Sequence, residues 1–262
     1  MKKILFALSL LAIAYSCQKE IDIDLNEANP IIVIEANYTA EDSIVRVGIS
    51  LTSNYFGTDQ PTTIDAAVVT ITDALGNAQN VPNIGDGNFE LLNYLPLFNT
   101  TYTLNVVYNG VSYTAESDLP SPVSLDEITY DFFPSFFGLD SGYISNLNFV
   151  DPADTINNYL VILTRNGEEL NKLTQITPQD DLLTDGNPVA RPLFSQFFDF
   201  GDTIGMELQS VDQQVFNYYS ELISIAGGGG GAAPANPTTN WDNDALGFFS
   251  AYSNSRTEAV VQ

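Results

Sequence analysis

The sequence reads as a mainly β protein: two consecutive β-sandwich domains of immunoglobulin or prealbumin type, the second carrying one helix. Three observations predict this. Short runs alternate apolar and polar residues at a period of two. Asn109-Gly110 and Asn166-Gly167 sit between such runs, and Asn-Gly between strands is a strong hairpin signal. The period shifts to that of a helix in one stretch, 212–226.

The chain opens with Met1-Lys2-Lys3, an apolar run from Ile4 to Ala14, and Tyr15-Ser16 before Cys17. A basic start, a short apolar stretch and a small residue at the cut define a secretory signal peptide, expected over 1–16. The run is shorter than the roughly 20 apolar residues that span a bilayer. Cys17 is the only cysteine and would stand first in the mature chain, so it is expected to carry lipid. The alternative is an ordinary cut after Ser16 that leaves a free thiol. Residues 17–29 are polar and acidic and read as a tether between lipid and fold.

The N-terminal domain is expected over 30–118. Ile31-Ile32-Val33-Ile34-Glu35-Ala36 is a buried run, and Val45, Val47, Ile49 and Leu51 share one face of a strand. Strands follow at 67–72 and 89–92, then at 102–108 and 111–115 around Asn109-Gly110. About seven short strands at this spacing suit a sandwich. Leu119-Pro120-Ser121-Pro122 marks the boundary, because paired prolines disfavour helix and ladder alike. A cut there is expected to separate two independently folding halves.

The C-terminal domain is expected over 123–262, with strands at 128–133, 143–149, 159–164 and 204–211. Val215, Phe216, Tyr219, Leu222 and Ile223 then recur at helical spacing, with Asp212 to cap the start and Gly227 the end. Five glycines at 227–231 open an irregular loop to residue 240, too poor in donors and too rich in backbone entropy for regular structure. A last strand at 246–252 is expected to pair with a partner near 257–261.

The chain has no histidine, which removes His-based triads, His general bases and His-ligated zinc. No catalytic residue and no cofactor are expected. There are 33 acidic residues against 8 basic ones, a net charge of −25. Such a surface repels nucleic acid and anionic lipid, and serves solubility, cation binding or a basic partner. Calcium candidates are Asp180, Asp181 and Asp185, with Asp151 and Asp154 as a separate pair; the plain alternative is solvated loop acids. Aromatics cluster at 131–138 and 194–200. Phe136 and Phe137, beside Pro134 and Gly138, look least like core, so they are partner-contact candidates together with Pro234 and Asn236 of the irregular loop.

The whole chain resembles a family of Bacteroidota lipoproteins, domain-of-unknown-function family 4249. The resemblance rests on Cys17-Gln18-Lys19-Glu20-Ile21-Asp22, Ile32-Val33-Ile34-Glu35-Ala36, Ile49-Ser50-Leu51-Thr52 with Tyr55-Phe56, and Ile64-Asp65-Ala66-Ala67-Val68-Val69. It is strongest in Pro234-Ala235-Asn236-Pro237-Thr238-Thr239-Asn240 and Leu246-Gly247-Phe248-Phe249-Ser250-Ala251-Tyr252. It implies an outer-membrane lipoprotein, often encoded beside a TonB-dependent receptor, with no enzyme activity and no established binding residues. Lys19, Glu20 and Asp22 after Cys17 resemble the signal that sends such lipoproteins to the cell surface, although the periplasmic face remains open. The family often runs longer, and the five-glycine run departs from its pattern. The resemblance therefore points to an accessory binding or scaffolding subunit. A free-standing glycan-binding lipoprotein and a carboxylate-based glycoside hydrolase are the alternatives.

Overall fold

The computed structural model describes residues 30–53, 61–135, 141–170, 173–227 and 236–262. In chain order the strands are β1 (Ile32–Thr39), β2 (Ile44–Leu51), β3 (Thr62–Thr63), β4 (Val68–Thr72), β5 (Ala78–Val81), β6 (Asn83–Gly85), β7 (Asn88–Leu92), β8 (Thr100–Tyr108) and β9 (Val111–Leu119). After the proline boundary come β10 (Thr129–Phe133), β11 (Gly142–Val150), β12 (Asn158–Arg165), β13 (Glu168–Leu170), β14 (Thr177–Asp180), β15 (Pro188–Phe198) and β16 (Thr203–Val211). Helix α1 (Gln213–Ala226) and β17 (Leu246–Val260) close the chain.

Among the described residues the strands form three sheets. The largest runs β13-β12-β16-β17-β1-β2-β7-β6, with β14 on β12 and β3 on β2. A four-stranded sheet, β5-β4-β8-β9, contributes to one apolar core with the β1–β2–β7 half of the large sheet, where Ile34, Tyr38, Val45, Ile71, Tyr102 and Leu104 are buried. A three-stranded sheet, β10-β11-β15, contributes to a second core with the β12–β16 half, around Phe149, Tyr159, Leu163, Phe198 and Leu208. Mainly β architecture with one helix is thus as the alternating pattern predicts. Both Asn-Gly turns form, with positive φ at each residue, and both helix caps are where the sequence puts them: the Asp212 carboxylate accepts from the Val215 amide, and the Gly227 amide donates to Ile223.

The C-terminal strand departs from expectation. Residues 246–252 and 257–261 do not form a pair. They belong to one strand, β17, which runs parallel to β1 through residue 252 and antiparallel to β16 from Ser253 onward. Ser253 and Asn254 are buried between the two parts, so no turn can open there. The domain bounds shift with it. Trp241, Ala245, Phe249 and Ala251 pack in the first core, although they lie in the part of the chain assigned to the second domain. Trp241 donates its indole N–H to the Ile34 carbonyl at 3.0 Å. Gly247 sits so close to β1 that a Cβ would stand 2.1 Å from the Ile34 oxygen, at a φ of +97° that side chains avoid.

The sequence also misses β14 and β15. Pro178, Pro188 and Pro192 argue against strands, but β15 is an edge strand and β14 joins the main path only through β12, where a missing N–H is tolerated.

Among the described residues, the side of β17 away from β1 has no strand neighbour over residues 246–252, and three side chains stand in for one. Asn240 donates to the Phe249 carbonyl at 2.7 Å and accepts from its amide at 2.9 Å. Thr239 donates to the Gly247 carbonyl at 2.8 Å, and Ser117 accepts from the Ala251 amide at 2.9 Å. Asn240→Ala should therefore strand two backbone groups at a fully buried residue and cost about 2 kcal/mol or more in denaturant unfolding. A loss below about 0.5 kcal/mol would show that water or relaxation replaces both bonds.

Candidate functional site

Cys17, Lys19, Glu20, Asp22, Phe136, Phe137 and Pro234 lie outside the described residues. Asn236 is described and exposed; the chain after it is fixed where Glu221 of α1 accepts from the Thr238 amide at 2.6 Å. The described end of the irregular loop thus rests against α1 and the first core. The described neighbours of Phe136 and Phe137 belong to the three-stranded sheet.

That sheet carries exposed aromatic rings in two groups, because the neighbours Phe132 and Phe133 point to opposite faces of β10. Phe133, at the end of β10, packs edge-on against Phe194 at 5.4 Å and tilted against Phe197 at 5.9 Å. Phe132 meets Tyr143 at 5.4 Å. Phe132 is 60% exposed, Phe194 50% and Phe200 74%. The cause is a bulge in β15. Tyr143 pairs with Phe198 while Ser145 pairs with Leu193, so residues 194–197 stand opposite Ile144 alone.

Arg165 braces this bulge from β12. Its guanidinium donates to the Phe197 carbonyl, lies 5.2 Å from the Phe198 ring centre and pairs with Asp202 at 3.3 Å. Asp202 also accepts from the Asp199 amide at 2.9 Å and from Asn166 at 2.8 Å. The Asp199 amide first, then Asn166 and the Arg165 charge, hold the Asp202 carboxyl below the usual carboxylate range.

A second cluster sits at the other end of the same sheet. Asp151, Asp181 and Asp185 bring one carboxylate oxygen each to within 4.8 Å of one another. The two acid groups read separately in the sequence therefore combine, while Asp180 and Asp154 stay outside the set. Pairing explains it: Val150 faces Pro188 and Asn158 faces Asp180, so loops 151–157 and 181–187 are held side by side at both ends. Asp151 is 1% exposed and accepts from the Tyr159 hydroxyl at 2.6 Å. Burial pushes its carboxyl up, and the charges of Asp181 and Asp185 add to that; the Tyr159 hydroxyl and the nearby Gly186 amide oppose it.

The profile of a domain of unknown function (DUF4249) matches residues 18–258. The chain belongs to the DUF4249 family. No curated protein matches it. Among solved structures it is similar to a two-domain fibronectin type-III segment of chicken tenascin, at 14% identity over 71% of this chain and 92% of that one. The TM-score is 0.22, too low for that likeness to carry an argument.

The DUF4249 chain also has a depression beneath α1, which the sequence does not flag. Glu35, Glu169, Leu160, Tyr218, Phe248 and Tyr252 are among its lining residues. Tyr218 and Tyr219 pack on Phe248 at 5.0 and 5.3 Å. Glu35 and Glu169 are both exposed.

The Asp202 shift sets the sign of a pH effect. Its folded pKa lies below its unfolded value, so its stabilising contribution is present above the usual carboxylate range and is lost as pH falls through the lowered value. The stability difference between wild type and Asp202→Asn should be full near pH 7 and shrink as pH falls through the lowered pKa of Asp202. Parallel denaturant titrations of the two proteins check this; a difference independent of pH would exclude the charge of Asp202 as its source.

Proposed function

We propose that this DUF4249 protein is a lipid-anchored outer-membrane protein of Bacteroidota, displayed at the cell surface, where it serves a TonB-dependent receptor as an accessory binding or scaffolding subunit without catalysis. The observation that carries this reading is the junction at Cys17: a basic, apolar leader ends there, the sole cysteine follows, and an acidic tether begins. Two or three acyl chains hold firmly, since each buried methylene contributes about 0.8 kcal/mol. A tether over 17–29 reaches at most about 45 Å when extended, so the fold stays near the membrane surface and any receptor embedded in it. The absence of histidine from the sequence supports a non-catalytic role.

The ring group of Phe133, Phe194 and Phe197 on β10 and β15 supplies the contact surface in this reading. A half-exposed ring packed on a neighbour, as Phe194 is on Phe133, is the kind of anchor that protein interfaces bury. The same rings favour the second reading, a glycan-binding lipoprotein. Phe133, Phe194 and Phe197 carry no polar group with which to orient a sugar, so a protein partner suits them better.

The test is a detergent pull-down of the intact lipoprotein with mass spectrometry of what accompanies it. A TonB-dependent receptor should come with the wild type and be depleted with a folded Phe194→Ser variant. Cys17→Ala should leave the protein in the soluble fraction. Recovery of glycan and no receptor would favour the second reading. Cys17→Ala protein that still sediments with membranes in high salt would refute the lipid anchor.

A further inference from the structure

The three carboxylates between loops 151–157 and 181–187 present a chemical problem that the fold leaves unsolved. Asp151 is buried, and its Oδ2 has no donor meeting it with hydrogen-bond geometry. Thr184 Oγ1, in the neighbouring loop, is likewise buried and unpartnered. A buried acceptor without a partner costs about 1–3 kcal/mol, more when charged. Asp181 and Asp185 each lend one oxygen to the opposite loop: Asn157 donates its amide to Asp181 Oδ2 at 2.6 Å, and Asp154 donates its amide to Asp185 Oδ1 at 2.9 Å. One oxygen of each carboxylate lies within 4.8 Å of the others.

Among the described residues no basic side chain pairs with the group. Among the described residues the ion pairs are Arg46–Glu90, Arg165–Asp202, and Arg256 with Glu41 and Glu207. The loops have little apolar anchorage either, since Ile156, Leu182 and Leu183 are 83%, 81% and 92% exposed. A cation between the three carboxylates would relieve their mutual repulsion.

We propose that Asp151, Asp181 and Asp185 form a calcium site that clamps these two loops. The ligand set is all oxygen, which selects a hard cation. Calcium takes oxygens at about 2.4 Å, so two of its ligands stand at most about 4.8 Å apart. The carboxylate oxygens all lie within that span. Magnesium requires ligands at about 2.0–2.1 Å in a strict octahedron, a tighter set than two loops and three separate carboxylates readily supply. A bound calcium would give the buried Asp151 carboxylate the positive partner that the fold does not supply.

The test is calcium binding to the full mature chain without its lipid, by titration calorimetry and by thermal unfolding in chelator, calcium chloride or magnesium chloride at matched ionic strength. Calcium should bind with a Kd on the order of 10⁻⁴ M, in the range of extracellular sites, and raise the unfolding temperature by several degrees at saturation. Asp185→Asn, at an exposed position, should weaken binding by about tenfold or more without preventing folding, because affinity follows ligand charge. Asp180→Asn, outside the set, should bind as wild type does. Absence of calcium-specific heat and shift in the wild type would overturn the proposal, as would undiminished binding by Asp185→Asn. An equal response to magnesium would overturn the assignment to calcium.

Discussion

Strand β17 pairs with β1 through residue 252 and with β16 from Ser253 onward, so two apolar cores depend on the same 15 residues. The chain delivers its last strand back to its first, and the large sheet exists only because that strand bridges its halves. Where the strand passes from one core to the other, charge takes over from apolar packing. Arg256 pairs with Glu41 at 2.9 Å and with Glu207 at 2.8 Å, while Asn254 donates to both acids. Glu207 is only 9% exposed, and a carboxylate so placed is tolerable because Arg256 and Asn254 satisfy it. Asp212 ties the same region from another side: it caps α1, accepts from the Ser117 hydroxyl and accepts from the Asp118 amide at 3.1 Å. The boundary at 119–122 is therefore a crossing point in a bonded structure rather than a hinge between free bodies.

This frame separates the two candidate sites. The aromatic rings lie where β11 begins, beside Tyr143, and the acid cluster lies just beyond its end at Val150. A strand of 9 residues at about 3.4 Å each puts them roughly 25 Å apart. One end presents exposed apolar rings; the other presents three clustered carboxylates.

Much of the fold is legible in the sequence because local rules act locally. The alternation of Val45, Val47, Ile49 and Leu51 needs only one strand to express itself, as do the Asn-Gly turns and the Asp212 and Gly227 caps. What is hidden depends on pairing between distant residues. Nothing near Leu246 reveals that β1 is its neighbour, although Gly247 and Asn240 make sense once it is known. The prolines of β15 count against a strand until its edge position is seen. Asp151 and Asp181 carry no shared spacing that links them, since only the facing of Val150 with Pro188 and Asn158 with Asp180 brings their loops together. The buried, unpartnered Asp151 oxygen, which distinguishes this cluster from ordinary loop acids, has no signature in the chain at all.

The dependence of the first core on β17 can be measured directly on a chain ending at Asp118. If the first sandwich were self-sufficient, residues 30–118 would unfold in denaturant as one cooperative transition with a near-ultraviolet signal from their packed tyrosines. The account predicts neither, because Trp241, Ala245, Phe249 and Ala251 are missing from the core and β1 has lost its parallel neighbour. Two-state unfolding of that fragment with a stability of several kcal/mol would contradict it.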